Sequence, residues 1–177
     1  MTDTAATDPY GKLIEPTTLS IQRLLPGPIE RVWAFLTESD LRRRWLASGD
    51  MDLKVGAPFT LTWRNDDLTD PPGSRPEGFG KEHHMESRIT ACHPPHNLAF
   101  AWGAGDVSIV LEERGERILL TLTHRRIAER AARLMIAAGW HAHLDILAAR
   151  AAGEDPASSF WDGWTKLRQE YDQLLPA

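Results

Sequence analysis

The sequence has a single cysteine in 177 residues, Cys92, so no intramolecular disulfide can form and nothing calls for an oxidising compartment. It has no apolar run near the roughly 18 residues of a spanning helix, which argues against membrane insertion. It has no excess of base: 20 lysines and arginines face 25 acids, so the basic footprint of a nucleic-acid binder is missing. Met1 to Pro9 carry neither a basic region nor an apolar stretch, so they do not read as a secretory signal. A cytoplasmic location is the expectation that remains. Chemical signatures are missing too. There is no HExxH, no cysteine-rich metal spacing, no G-x-S-x-G, no P-loop and no dinucleotide fingerprint. No Ser/His/Asp triad can be assembled from sequence order, so no catalytic residue is named and no cofactor is expected.

The seven histidines do not gather into a metal site by spacing. His83 and His84 point to opposite faces of a strand, His141 and His143 diverge on a helix, and His93 and His96 flank a Pro-Pro turn. His141 and Asp145, four apart, read as an exposed helix pair. No metal is expected.

What is present reads as one globular domain. Hydrophobic residues make up 42% of the chain, enough to argue against wholesale disorder. A chain of this length hides about 70% of its unfolded surface on folding, so it needs no disulfide or metal staple. Residues 1–16, small and polar with Pro9 and Pro16, are expected to be a flexible arm, and 17–177 a single domain.

The domain opens with a β-favouring run, Thr17 to Leu25, stopped by Pro26-Gly27-Pro28. Ile29, Val32, Trp33 and Leu36 then follow helical spacing, and a short second helix is expected over Leu41 to Leu46. Arg42-Arg43-Arg44 lies on it as a solvated face, with no second basic cluster in the sequence to make a phosphate site. Met51, Leu53 and Val55 alternate with polar residues, as do Phe59, Leu61 and Trp63. The Pro- and Gly-rich stretch Asn65 to Gly80 is either a lid plugged by Phe79 or a disordered acidic surface loop, and the second reading is preferred. Strands are expected over His83–Ala91, Asn97–Trp102, Val107–Glu113 and Arg117–Arg125, linked as hairpins. Helix follows. Ile136, Trp140, His143, Leu144 and Leu147 share one face, Gly153 to Pro156 breaks the pattern, and Phe160, Trp164, Leu167, Tyr171 and Leu174 form a second stripe.

This order implies an α+β fold in which a curved antiparallel sheet of six or seven strands surrounds a long C-terminal helix. The residues also resemble a known family. Ile29-Glu30-Arg31-Val32-Trp33 with Trp45-Leu46, Asp52 to Gly56, His93 to Trp102, the strands around Val107–Glu113 and Ile118–His124, and Gly139-Trp140 before Leu144–Leu147 are similar to the SRPBCC (START-like) superfamily. Within it the match is to the group named after the activator of Hsp90 ATPase. The resemblance covers roughly residues 17–150 and implies a helix-grip fold with a hydrophobic cavity between sheet and helix.

Strand alternation then assigns an inward, ligand-facing set. It comprises Phe59, Leu61, Trp63, His83, Met85, Ser87, Phe100, Trp102, Ile109, Leu120, Leu122 and His124, with Trp140, His143, Leu144 and Leu147 from the helix. These residues either line a cavity or pack as a plain core. His83, Ser87, His124 and His143 are the polar exceptions, and a buried polar group without a partner costs about 1–3 kcal/mol. Each binds a ligand's polar end, acts as acid or base, or is satisfied in the core; His124 is expected at an exposed strand end.

The leading expectation is a binding protein for a small hydrophobic or amphipathic ligand. The alternatives are a cyclase or dehydratase using the cavity histidines, and a chaperone-linked interaction protein. Hsp90-activating proteins carry a further N-terminal domain, whereas some sixteen residues precede the first strand here, so chaperone association is not expected. An exposed remainder of the C-terminal stripe would need cover, which leaves a homodimer open.

Overall fold

The computed structural model describes residues 8–176. Its elements run β1 (Lys12–Glu15), β2 (Thr18–Pro26), α1 (Ile29–Thr37), α2 (Ser39–Arg42), β3 (Pro58–Trp63), β4 (His83–His93), β5 (Asn97–Trp102), β6 (Gly105–Arg114), β7 (Arg117–Arg125), α3 (Arg130–Ala151) and α4 (Phe160–Leu174). The seven strands form one antiparallel sheet in the order β1-β2-β7-β6-β5-β4-β3. Four consecutive hairpins build most of it, and β7 returns to β2 through pairs such as Ile21↔Leu122. Alternation holds along β2, where Leu19, Ile21, Arg23 and Leu25 turn inward.

Two features shape the sheet. β4 carries an irregularity between Ile89 and Ala91, where the extra residue bends the strand. Its first half, His83 to Arg88, pairs only with β3, and its second half pairs with β5. The β3–β4 hairpin therefore projects beyond the main sheet. The second feature is α3. It lies between the sheet and α4, so Ala138, His141, Ala142 and Ile146 are buried as well as Leu144 and Leu147. A helix covered on two sides needs no single apolar stripe. α4, covered on one side, keeps its stripe: Phe160, Trp164, Leu167 and Tyr171 are buried and Leu174 is exposed.

Several expectations are corrected. Lys12–Glu15, assigned to a flexible arm, is an edge strand paired with β2; residues 1–7 of that arm lie outside the described residues. Met51 to Val55 alternates but forms no strand; on the free edge of β3 it is Ser48 that bridges, to Thr62. α2 spans only Ser39–Arg42 and continues as turns through Leu46. Arg42 is not part of a solvated face: its guanidinium is buried and donates to the carbonyls of Leu36, Thr37, Ala47 and Gly49. Desolvation lowers its pKa to about 10, still charged at neutral pH. Gly49 has no substitute there, since it sits at φ +137° with a Cβ position occupied by the Thr60 carbonyl.

The Asn65–Gly80 stretch is not a disordered loop. It begins with a 3-10 turn, Asn65–Asp67, and is tied to the start of α4. Trp161 donates from its backbone to the Pro72 carbonyl (3.1 Å) and from its indole to Asp66 (2.8 Å). The Phe160 backbone N–H donates to Thr69 Oγ1 (3.0 Å), and the Ser74 N–H to Asp162 (3.0 Å). The bonds from the Phe160 and Trp161 backbone satisfy N–H groups at the helix N-terminus that would otherwise lack partners, and the other two add side-chain ties between the segments.

Candidate functional site

The β3–β4 hairpin overhangs the sheet on one side of α3, and the docked 65–80 segment with α4 closes the other. Between them lies a cleft of about 440 Å³. That volume falls in the range of small-molecule sites. Its walls are mainly aromatic. Trp63 and His83 are register partners at the end of the hairpin, with rings 5.6 Å apart. Trp102, at the end of β5, stands 5.4 Å from Trp63 and 5.3 Å from Trp140 of α3. The opposite wall is Phe160, Trp161 and Trp164 from the first turns of α4, and Phe79 packs on both tryptophans at 5.1 and 5.2 Å. Gly139 of α3 leaves a gap between these walls: a Cβ there would meet only Trp164 Nε1, at 4.0 Å.

His143 is the polar group at the floor. Its Nδ1 lies 2.8 Å from the carbonyl oxygen of Trp45, which can only accept, so the proton sits on Nδ1. Nε2 is then a bare lone pair, and it has no hydrogen-bond partner among the described residues. Burial pushes the His143 pKa down to about 4, against a smaller upward effect of the Trp45 hydrogen bond. The ring is neutral at physiological pH and offers an acceptor. Three further lining residues, Trp63, Trp102 and Trp164, have indole N–H groups that make no hydrogen bond to another described residue, unlike those of Trp140 and Trp161.

Of the sixteen residues assigned to a ligand-facing set, the cleft gathers Trp63, His83, Trp102, Trp140 and His143. Phe59, Leu61, Phe100, Ile109, Leu120, Leu122, Leu144 and Leu147 are buried between sheet and α3, away from the cleft. They belong to one buried hydrophobic cluster, in which Phe59 meets Phe100 edge-on at 5.8 Å. Met85 is half-buried on β4 and packs against the same core. Ser87 is turned to the protein, its hydroxyl donating to the Ala101 carbonyl at 2.6 Å where β4 and β5 part. His124 is not at an exposed strand end. It is buried, and its Nδ1 accepts the Trp140 indole N–H at 3.0 Å. Desolvation lowers its pKa to about 4, with Asp106 acting weakly in the other direction.

Sequence reasoning missed Leu46, Asn65, Lys81, Glu82, Met135 and the α4 aromatics as cleft residues. The signal for the last was available: Phe160-Trp161 and Trp164 concentrate three large rings at the start of the second stripe. Among the described residues no three or more His, Cys, Asp and Glu side chains are placed to hold a metal ion, and no helix is long and apolar enough to cross a membrane.

A curved antiparallel sheet gripping a long helix, with two short helices after the second strand, defines a helix-grip protein of the SRPBCC (START-like) class. The chain belongs to the family of activator of Hsp90 ATPase homolog 1-like proteins, whose model matches residues 26–152. Among solved structures, the protein encoded by gene BPP1335 from Bordetella parapertussis is 37% identical over 100% of this chain and 96% of that one, with TM-score 0.80. CalU16 from Micromonospora echinospora is 20% identical over 89% and 87% of the two chains, with TM-score 0.62. The AHSA1-like protein from Aeromonas hydrophila is 19% identical over 77% and 94%, with TM-score 0.59. No curated protein matches the chain. The two more distant structures share the fold with this protein.

Proposed function

We propose that this protein binds a small hydrophobic or amphipathic molecule in the aromatic cleft between the β3–β4 hairpin, α3 and α4. The observation that carries this reading is the cleft's composition: five tryptophans and two phenylalanines around about 440 Å³, with His143 as a neutral acceptor at the floor. Apolar walls with a few placed polar groups suit a ligand that is mostly hydrocarbon and carries one hydrogen-bond donor. The indole N–H groups suit an acceptor at its other edge.

The test is titration of the full-length protein with the uncharged apolar dye Nile red, read by dye emission and by quenching of tryptophan fluorescence. Saturable one-to-one binding with both signals moving together is expected, because Trp63, Trp102, Trp140, Trp161 and Trp164 surround the occupant. No saturable response at micromolar dye would remove the reading. A cyclase or dehydratase retains only His83 and His143 at the cleft, since Ser87 and His124 are engaged elsewhere. The binding reading is therefore preferred.

A further inference from the structure

A second concavity lies across β3 from the aromatic cleft. Arg43 and Arg44 follow α2, Arg64 follows β3, and Arg150 is in the last turn of α3. These four arginines, from three separate stretches of the chain, wall one groove of about 410 Å³ with Ser48 and Thr62. Asp67 is the single acidic residue in that lining. The whole chain carries −5, so this concentration of positive charge is local. Alternation on β3 separates the two sites: Thr62 and Arg64 face the groove, Trp63 faces the cleft, and Leu46 alone lines both.

The guanidinium groups are weakly engaged by the protein. Arg43 is 3.8 Å from Asp40 and Arg150 is 3.6 Å from Asp155, and both carboxylates stand in solvent. Such solvent-screened pairs contribute little and yield readily to a competing anion. Arg64 is held closer, 3.2 Å from Asp67, with Glu82 at 4.0 Å. Arg44 has no carboxylate within 4.0 Å among the described residues, and its guanidinium lies over the Phe35 ring. Arg150 donates one Nη2 bond to the Leu68 carbonyl (3.0 Å), while its buried Nε–H has no partner. A buried donor without an acceptor costs free energy unless something supplies one.

We propose that this groove binds the phosphate group of a small molecule. Guanidinium forks pair bidentately with oxyanions, and several forks around one space suit a dianion with three free oxygens better than a carboxylate with two. This site is independent of the aromatic cleft, and neither proposal rests on the other.

The experiment is a ¹⁵N NMR titration of the full-length protein with inorganic phosphate and, separately, phenyl phosphate, at pH 7.5 and constant ionic strength set with chloride. Saturable shifts of the Ser48 and Thr62 amides and of the arginine Nε–H signals are expected. Binding of phenyl phosphate at least as tight as that of inorganic phosphate assigns the site to a phosphate ester, and clearly tighter binding of inorganic phosphate assigns it to free phosphate. In Arg44→Gln/Arg64→Gln, affinity for both probes should fall at least about tenfold while Nile red binding is retained. Should the double variant fail to fold, Arg44→Gln alone carries the test, because that side chain is exposed. Shifts no larger than those from chloride, or unchanged affinity in the folded variant, would overturn the proposal.

Discussion

The hydroxyl of Tyr171 on α4 lies 2.8 Å from Nδ1 of His141 on α3, and both side chains are buried. The backbone N–H of Gly11 donates to the same hydroxyl at 2.7 Å, so the hydroxyl's own proton goes to His141. His141 then carries its proton on Nε2, facing Asp145 at 3.4 Å, and Asp145 pairs with Arg23 of β2 at 2.9 Å. Burial alone would raise the Asp145 pKa, but the hydrogen bond from His141 and the Arg23 charge hold it below the ordinary carboxylate range. The pair read from sequence as an exposed helix contact is thus half of a chain of bonds joining the β1 flank, α4, α3 and β2.

Removing that hydroxyl tests the chain. Tyr171→Phe strands the Gly11 N–H and the His141 Nδ1 lone pair, and a buried group left unpaired costs about 1–3 kcal/mol. Urea denaturation should show a loss of that size, and hydrogen exchange should quicken first in Lys12–Glu15 and its partners on β2. An unchanged midpoint with unchanged exchange would show that the bond holds nothing.

Acid should destabilise the fold through two histidines before the carboxylates are protonated. His124 and His143 have native pKa values lowered to about 4, from an ordinary 6.5, chiefly by desolvation. Between those limits the unfolded chain binds protons that the folded chain refuses, so stability is complete above about pH 6.5 and falls as pH drops toward 4. The slope is about 1.4 kcal/mol per pH unit for each histidine. Denaturation midpoints measured at several pH values, with the histidine ring signals followed by NMR, check this. Native rings that titrate near pH 6.5 would contradict it.

Gly139 separates stability from binding. It is interior to α3 and its Cβ position faces the cleft with only Trp164 in reach. Gly139→Ala should stabilise the protein by about 0.5–1 kcal/mol, because glycine is a poor helix residue. Gly139→Leu should fill the gap and weaken Nile red at least about tenfold, with the melting temperature near that of the parent. Dye affinity unaffected by the leucine would move the occupant out of the cleft.

The sheet and the long helix were legible in the residues because they obey local rules. Alternation placed the strands from Phe59 to Arg125 within a few residues, and apolar spacing placed both C-terminal stripes. Lys12–Glu15 escaped because an edge strand is made by its neighbour. Met51–Val55 misled because alternation creates a strand only where a partner strand pairs with it, and that run pairs with none among the described residues.

The amino-acid sequence by itself determined the α+β class, the family and the inward face, since each rests on periodicity or contiguous blocks. Tertiary structure alone decided which inward residues close into a solid core and which leave a space. Phe100 and Leu122 obey the same alternation as Trp102 and His124, yet only Trp102 reaches the cleft. The difference lies in what stands opposite: the bend at Ile89–Ala91 lifts the hairpin, and α4 with the 65–80 segment supplies the far wall. It also decided charge. Arg42 is buried among carbonyls, while Arg43 and Arg44 share a groove with nearby Arg64 and with Arg150, which lies far along the chain in the last turn of α3. Periodicity reports which side a residue faces; only packing reports what it meets there.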